Sequence, residues 1–354
     1  MDKSIFEKIG LQLPEPENLN VTDAIPTGVL PLDIALGTGG FARGRFVGLG
    51  GLQSTGKSTL AVNLAKHNIL AGGTSIIFDT EAVYERSRLL QLGVSEDIID
   101  SDKLIVINNW GIDKKTKELS LLTIETICYW VVKLLKATKP EDKLLIVWDT
   151  ISGTPVDKEL DMNFDHEKLM GKHARELSYF FRQIPSLLLQ ANATMLGIVQ
   201  PKIDPMSGAT SYLGERVVKF HSSQIVMLRK YSQDENRLVV NAEIVKNKVA
   251  TAYKKVQLTY LIKAGKFDGI SNLPEFVKGY GYSFGKTFVK AKKDFVNIFK
   301  QEKAEVEKWV MSKLERPIPY VLYPTDDISI TSSDDDEESD VSTPSLFKTE
   351  PVED

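Results

Sequence analysis

Gly51-Leu52-Gln53-Ser54-Thr55-Gly56-Lys57-Ser58 fits the pattern G-x-x-x-x-G-K-[ST] at every fixed position. A phosphate chain needs several backbone N–H groups directed inward at once, and a glycine-bounded loop supplies them. Gly51 and Gly56 permit the tight turn, Lys57 has the reach for the β- and γ-phosphates, and the Ser58 hydroxyl is a ligand for Mg2+. Residues 46–49, Phe-Val-Gly-Leu, read as a short buried strand before the loop. Residues 60–66, Leu-Ala-Val-Asn-Leu-Ala-Lys, read as a helix after it, whose N-terminal dipole favours an anion. Strand, loop and helix together predict a nucleoside triphosphate site from Gly51 to Thr59, with Leu52, Gln53, Ser54 and Thr55 as the loop's own backbone donors.

The chain has 354 residues, enough for one large domain or two smaller ones. No apolar run is long enough to span a bilayer, and the start, Met-Asp-Lys-Ser-Ile-Phe-Glu-Lys, lacks the apolar stretch of a signal peptide. The single cysteine, Cys128, excludes an internal disulfide framework and fits a reducing cytoplasm. Four scattered histidines give no metal-cage spacing. Charge is unevenly placed. Residues 325–354 hold eleven acids against one base, Lys348, so that stretch carries −10 and the remaining chain +6 of the net −4. A basic body with an acidic tail suits a protein that meets polyanions and regulates access to them, and it equally suits a tail that only solubilises.

No internal repeat is present. Residues 1–24 form a short polar arm. From residue 25 to about 264, apolar strand-like runs at 75–78, 104–107, 144–148, 195–199, 224–228, 238–245 and 253–261 alternate with helical patterns such as 121–137 and 172–190. Several runs are continuously apolar, as strands buried on both faces of a parallel sheet must be. This alternation predicts an α/β, doubly wound domain with a mostly parallel twisted sheet. Residues 265–316, with a Gly/Tyr-rich stretch and then a charged helix over 293–314, read as a small C-terminal subdomain. Residues 317–354 read as a disordered acidic tail, rich in Asp, Ser and Thr.

Three strand ends carry chemistry. Leu144-Leu-Ile-Val-Trp-Asp149 closes a buried run on a carboxylate, where a phosphate-loop enzyme holds Mg2+. Ser75-Ile-Ile-Phe-Asp79-Thr-Glu81 ends in acids, and Glu81 has the reach to take a proton from an attacking water. Met195-Leu-Gly-Ile-Val-Gln200 ends in an amide that could sense a γ-phosphate.

These blocks, in their order, resemble those of bacterial RecA recombinases and their phage relatives. The resemblance extends to the segment 25–45 before the loop, Phe78-Asp-Thr-Glu81 followed by Leu92-Gly93-Val94, Val147-Trp-Asp149-Thr150, Lys219-Phe220-His-Ser-Ser, and Lys246-Asn247-Lys248-Val-Ala. It covers about residues 22–264, and 265–315 less closely. It implies a RecA-like ATPase core that uses ATP and Mg2+, with Glu81 as general base, Ser58 and Asp149 at the metal, and Gln200 as the γ-phosphate switch. Lys246 and Lys248 would reach a neighbour's ATP, with Lys219 and Phe220 at the same subunit interface. Positive charge supplied in trans makes hydrolysis depend on assembly, as an arginine finger does.

The resemblance also implies two DNA-binding segments. The first spans 157–171 and ends in Met170-Gly171; in the helix after it Arg175, Ser178 and Arg182 share a face at i, i+3 and i+7. Such a face grips phosphates without reading bases. The second, 201–216, has the Gly, Ser and Thr content of a loop that orders on a ligand. Lys202 and Arg216 are its phosphate partners, and Ile203 or Tyr212 could wedge between bases.

Departures are also legible. The arm is shorter than in the bacterial family, and about twenty extra residues lie around 108–119. The family's adenine-stacking aromatic falls on Arg88, so a guanidinium, or the nearby Tyr84 ring, would contact the base. The expectation is a cytoplasmic, DNA-dependent ATPase of a bacterium or phage-infected host. It would form filaments on single-stranded DNA and pair it with double-stranded DNA in recombination and repair, its acidic tail competing with DNA or docking single-strand-binding or mediator proteins. The alternatives are a ring-forming motor on the same core and a non-hydrolysing ATP-dependent DNA-binding regulator.

Overall fold

A computed structural model describes residues 21–108, 111–112, 119–157, 166–203, 210–212, 215–269, 303–316 and 318–321. In chain order its strands are β1 (Ala24–Ile25), β2 (Phe41–Ala42), β3 (Phe46–Gly51), β4 (Thr74–Asp79), β5 (Leu104–Asn108), β6 (Gly111–Ile112), β7 (Leu119–Ser120), β8 (Leu144–Asp149), β9 (Thr194–Val199), β10 (Pro201–Ile203), β11 (Thr210–Tyr212), β12 (Gln224–Gln233), β13 (Arg237–Asn247), β14 (Lys255–Leu261) and β15 (Lys266–Phe267). The helices are α1 (Leu30–Ala35), α2 (Lys57–Leu70), α3 (Arg86–Gln91), α4 (Glu96–Ile99), α5 (Ile124–Ala137), α6 (His166–Ala191), α7 (Glu215–His221) and α8 (Lys303–Lys313).

Nine strands form one sheet in the order β15-β14-β13-β12-β3-β9-β8-β4-β5. From β12 to β5 every pairing is parallel, and β12 to β15 add an antiparallel meander at one side. The mostly parallel architecture read from the apolar runs is therefore present. Alternate side chains explain why those runs are continuous: Leu145 and Val147 of β8 enter one core layer with Leu60, Leu64 and Leu196. Leu144, Ile146 and Trp148 enter the other with Ile127, Val131 and Phe181. Every residue of β8 is buried, so a polar residue there would face apolar packing on either side. The second layer is covered by α5 and α6. Thr123 caps α5 by accepting the Thr126 N–H at 3.2 Å, and Ile124, Ile127, Val131 and Leu135 form its buried stripe.

Several expectations need correction. The extra residues around 108–119 include a small antiparallel pair, β6 with β7. The strand expected from 253 starts at Lys255, because Tyr253 turns the chain with φ +65°. Lys266–Phe267, assigned by sequence to a separate subdomain, pairs with β14 and extends the main sheet. Ile318 and Tyr320 lie beyond the boundary set for a disordered tail, yet both are buried. That segment straps across the 249–254 turn. Glu315 accepts from the Thr251 N–H (2.7 Å) and the Lys254 ammonium (2.5 Å), and Arg316 donates to the Val249 carbonyl (2.8 Å).

The strap ends on a buried acid. The Tyr320 hydroxyl donates to Asp33 Oδ2 at 3.0 Å, while Asp33 Oδ1 accepts the Thr27 N–H and hydroxyl at 2.8 and 2.6 Å. Burial pushes the Asp33 carboxyl up to about 7, against the lowering effect of those bonds. Because the folded value lies above the unfolded one, the stability it contributes is present at low pH and is lost as pH rises through about 7. Asp33→Asn removes this titration. In thermal melts from pH 5 to 8, the parent should lose stability relative to the variant by up to about 1.4 kcal/mol per pH unit, levelling off above neutrality.

Candidate ATPase active site

The parallel strands end level with one another. Asp79 and Asp149 are paired residues at the ends of β4 and β8, and Gly51 and Val199 end β3 and β9 beside them. Ligands of open α/β sheets bind at this carboxyl edge. The loop after β3 closes on the Leu52 carbonyl, which accepts from the Thr55 hydroxyl (2.9 Å) and the Lys57 ammonium (2.8 Å). Gly56 enters α2 in the left-handed region at φ +86°, and no side chain caps that helix start. Leu52, Gln53 and Ser54 are exposed, while Lys57 and Thr59 are buried. Burial lowers the Lys57 pKa, and the facing Asp149 and Glu81 carboxylates oppose that shift.

Asp149 sits almost wholly out of water. Its Oδ2 accepts from the Ser58 hydroxyl at 2.8 Å and the Tyr84 hydroxyl at 2.5 Å. Its Oδ1 is buried with no hydrogen-bond partner. Burial pushes this carboxyl up to about 6, above the usual carboxylate range, even though both hydroxyls pull it down. A buried, unpartnered carboxylate oxygen beside a serine hydroxyl fits a Mg2+ site whose other ligands are phosphate oxygens and water. Among the described residues no cluster of three or more His, Cys, Asp or Glu is placed to hold a metal alone.

Glu81 follows β4 on a turn fixed by Asp79, whose carboxylate accepts the N–H groups of Glu81 (3.3 Å), Val83 (3.2 Å) and Tyr84 (3.0 Å). The Glu81 carboxylate is exposed. Its Oε1 accepts from the Gln200 amide at 2.6 Å and the Thr150 hydroxyl at 3.2 Å. The Gln200 N–H in turn donates to Ser152 Oγ at 3.1 Å. The candidate base, the segment after Asp149 and the residue before β10 therefore form one hydrogen-bonded group.

The RecA N-terminal domain family model matches residues 2–266, three quarters of the chain. This chain belongs to the RecA family. Protein RecA of Ehrlichia ruminantium is 31% identical over 267 residues, covering 72% of this chain and 67% of that protein. Protein RecA of Porphyromonas gingivalis is 28% identical over 249 residues, covering 68% and 67%, and that of Wolinella succinogenes 27% over 336, covering 89% and 87%. Family membership makes this a RecA-like fold and a protein of recombination and repair that binds ATP and DNA.

The expected DNA-facing parts of this RecA-family chain differ in form from the sequence reading. α6 begins at His166, so Met170 and Gly171 are helical and the expected first loop is shorter than 157–171; 158–165 lie outside the described residues. Arg175 and Arg182 are exposed on α6. The Ser178 hydroxyl is spent on the Ala174 carbonyl (2.6 Å), and Arg182 lies over the Tyr179 ring at 4.8 Å. The expected second loop is partly regular: Lys202 and Ile203 lie in β10, Tyr212 in β11, paired antiparallel with Lys202 opposite Ser211, and Arg216 in α7. Residues 204–209 and 213–214 lie outside the described residues.

Lys246 is level with Ile225 and, through it, with Gly48, two strands aside from β3 and before the phosphate loop. Its ammonium donates to the carbonyls of Lys219 and Phe220 (the latter at 3.0 Å). Burial, then Lys248 and Lys219, push it down to about 8. Phe220 beside it is 74% exposed. These residues form a surface apart from the chain's own Gly51–Ser58 loop.

On the other side of that loop, the Phe267 ring seats against Gly56, with the Tyr260 ring edge-on at 5.3 Å. Arg88 donates to the Tyr260 hydroxyl at 3.3 Å and to Gln91 Oε1 at 2.6 Å. Tyr84 is buried on Asp149 and is not free to stack on a base. Tyr260 and Phe267 were not found from sequence, since no motif marks them and only the fold brings β14 and β15 to the loop. Gly56→Ala would force a side chain into the left-handed region and put its Cβ 2.5 Å from the Phe267 ring. The backbone term alone costs about 1–2 kcal/mol. Differential scanning fluorimetry should show a lower Tm for the variant and loss of the upward shift that Mg-ATP gives the parent.

Proposed function

We propose that this chain is a DNA-dependent ATPase that assembles as a helical filament on single-stranded DNA and exchanges strands with homologous duplex. The observation that carries the reading is the 2.6 Å bond from Gln200 to Glu81, because Gln200 immediately precedes the β10–β11 hairpin. A DNA strand that draws the hairpin must move Gln200, and Glu81 then loses the donor that holds it. Freed, the Glu81 carboxylate accepts the proton of an attacking water. Lys57 and the loop N–H groups would hold the β- and γ-phosphates, and Ser58 and Asp149 would hold Mg2+. Bound Mg2+ supplies positive charge to the phosphoryl oxygens as they take up negative charge. Arg88 lies against the adenine at the Tyr260 edge of the site.

The neighbour completes the site. Lys246, Lys248 and Lys219 bring positive charge to the next subunit's phosphates, and the exposed Phe220 ring packs at that junction. DNA, single- or double-stranded, is held through phosphates by Arg175 and Arg182, with Met170 and Gly171 beside them on the same helix, and by Lys202 and Arg216; Ser178, whose hydroxyl is taken by Ala174, only spaces the two arginines. Ile203 and Tyr212 separate bases. Because these are phosphate and stacking contacts, binding carries little sequence preference and weakens with salt. The tail 325–354 competes for the same cations or docks single-strand-binding and mediator proteins, and the setting is cytoplasmic.

Two measurements test this reading. Single-stranded DNA should stimulate ATP turnover, and Glu81→Gln should lower kcat by about 10²–10⁴-fold while nucleotide binding persists. Turnover indifferent to DNA, or an undiminished Glu81→Gln variant, contradicts the proposal. In the second, Lys248→Ala and Glu81→Gln subunits, each deficient alone, are mixed on DNA. Where a Lys248→Ala subunit's base meets a Glu81→Gln subunit's lysine, intact junctions form and activity should reappear. Failure of every mixing ratio to exceed the separate variants would count against catalysis shared across subunits.

A further inference from the structure

Asp149 has one carboxylate oxygen with two hydroxyl donors and one with none, and the asymmetry has a source. Ser58 comes from the phosphate loop and is itself a candidate metal ligand. Tyr84 belongs to the turn that carries Glu81 and is not itself a metal ligand by residue type, though its hydroxyl reaches both Asp149 and Ser58. Its ring is buried, its hydroxyl donates to Asp149 Oδ2 at 2.5 Å, and its N–H is held by Asp79 Oδ2 at 3.0 Å. The two ends of Tyr84 thus grip the last residues of neighbouring strands, Asp79 of β4 and Asp149 of β8.

We propose that Tyr84 is a positioning residue for Mg2+: by occupying Asp149 Oδ2 it fixes the carboxylate so that the unpartnered Oδ1 faces the cation. The inference rests on the reading of Asp149 as the metal carboxylate. A carboxylate is free to rotate about its terminal torsion, and a single donor from Ser58 cannot hold it once that hydroxyl turns to the metal. The tyrosine hydroxyl also lies within hydrogen-bonding reach of Ser58, but its donated proton stays on Asp149 Oδ2 when the serine turns away. The same bond fixes the Glu81 turn relative to the metal, since Glu81 lies three residues before Tyr84 on a turn that Asp79 holds by three N–H groups. Outer donors that orient a metal ligand in this way are worth about 10–100-fold in metal affinity.

The test is a Mg2+ titration of fluorescent ATP-analogue binding by the full chain without DNA, for the parent, Tyr84→Phe and Asp149→Asn. Tyr84→Phe removes one oxygen and keeps the buried ring. It should raise the Mg2+ concentration at half-maximal binding by about tenfold or more, leave binding in excess chelator unchanged, and, in a separate assay with single-stranded DNA, regain ATP turnover in excess Mg2+. A merely structural loss would lower binding with and without Mg2+ alike. If Asp149→Asn shifts the midpoint and Tyr84→Phe does not, Tyr84 has no positioning role and the metal site stands. If Asp149→Asn leaves the midpoint in place, the metal reading falls and this inference with it. Should Tyr84→Phe lose its cooperative melt, 3-fluorotyrosine in the parent gives the second readout: adding Mg2+ to the ATP-saturated chain should shift a buried-tyrosine 19F resonance. No such shift overturns the proposal.

Discussion

Parallel pairing of β3, β9, β8 and β4 is the constraint on which the rest of the molecule depends. Strands that run the same way and start level must also end level, so four different segments deliver their last residues to one edge. Gly51, Asp79, Asp149 and Gln200 are distant in sequence and adjacent in space for this reason alone. The pairing requires both sheet faces to be covered, because a parallel sheet leaves neither face to water. The two core layers, one around α2 and one around α5 and α6, follow from that requirement.

The edge so formed is polar, yet much of it is out of water. Desolvation raises Asp149 and lowers Lys57, so each is held in an environment that disfavours its charge until the opposite charge arrives. An anion with its accompanying cation answers both. The hydrogen bonds are spent on geometry: Asp79 holds the Glu81 turn, Thr80 bonds across to the Asp149 carbonyl, and Gln200 holds the Glu81 carboxylate. The acid that follows β4 and the residue that leads into the β10–β11 hairpin meet in this last bond.

A second system of contacts gathers the chain's far end onto its beginning. Glu315, Arg316 and Tyr320 tie down the turn after β13 and reach Asp33 near the start of the core. β13 and that turn carry Lys246 and Lys248, the cations assigned to a neighbouring subunit. The strap therefore braces the part of the surface that the proposed function gives to the contact with another copy, and the acidic stretch begins only a few residues beyond it.

The sequence alone determined the fold class, the phosphate loop and the strand-end acids, because these rest on local signals: glycine spacing, continuous apolar runs and where such runs stop. Strand limits were legible to within a few residues for β4, β5, β8 and β9 for the same reason. Tertiary structure alone decided the partners. Nothing in sequence distinguishes Tyr84 as a candidate base contact from Tyr84 as a buried donor to Asp149, sixty-five residues away. Nor does sequence bring Phe267 and Tyr260 to Gly56, or Tyr320 to Asp33. These are contacts between segments whose meeting is set by strand order and register, which a local pattern does not encode. The expected loops differ in form for a similar reason: Gly, Ser and Thr content over 201–216 and polarity over 157–171 signal irregular chain, but hairpin pairing in the one and an earlier helix start in the other prevail wherever neighbouring backbone groups can satisfy one another.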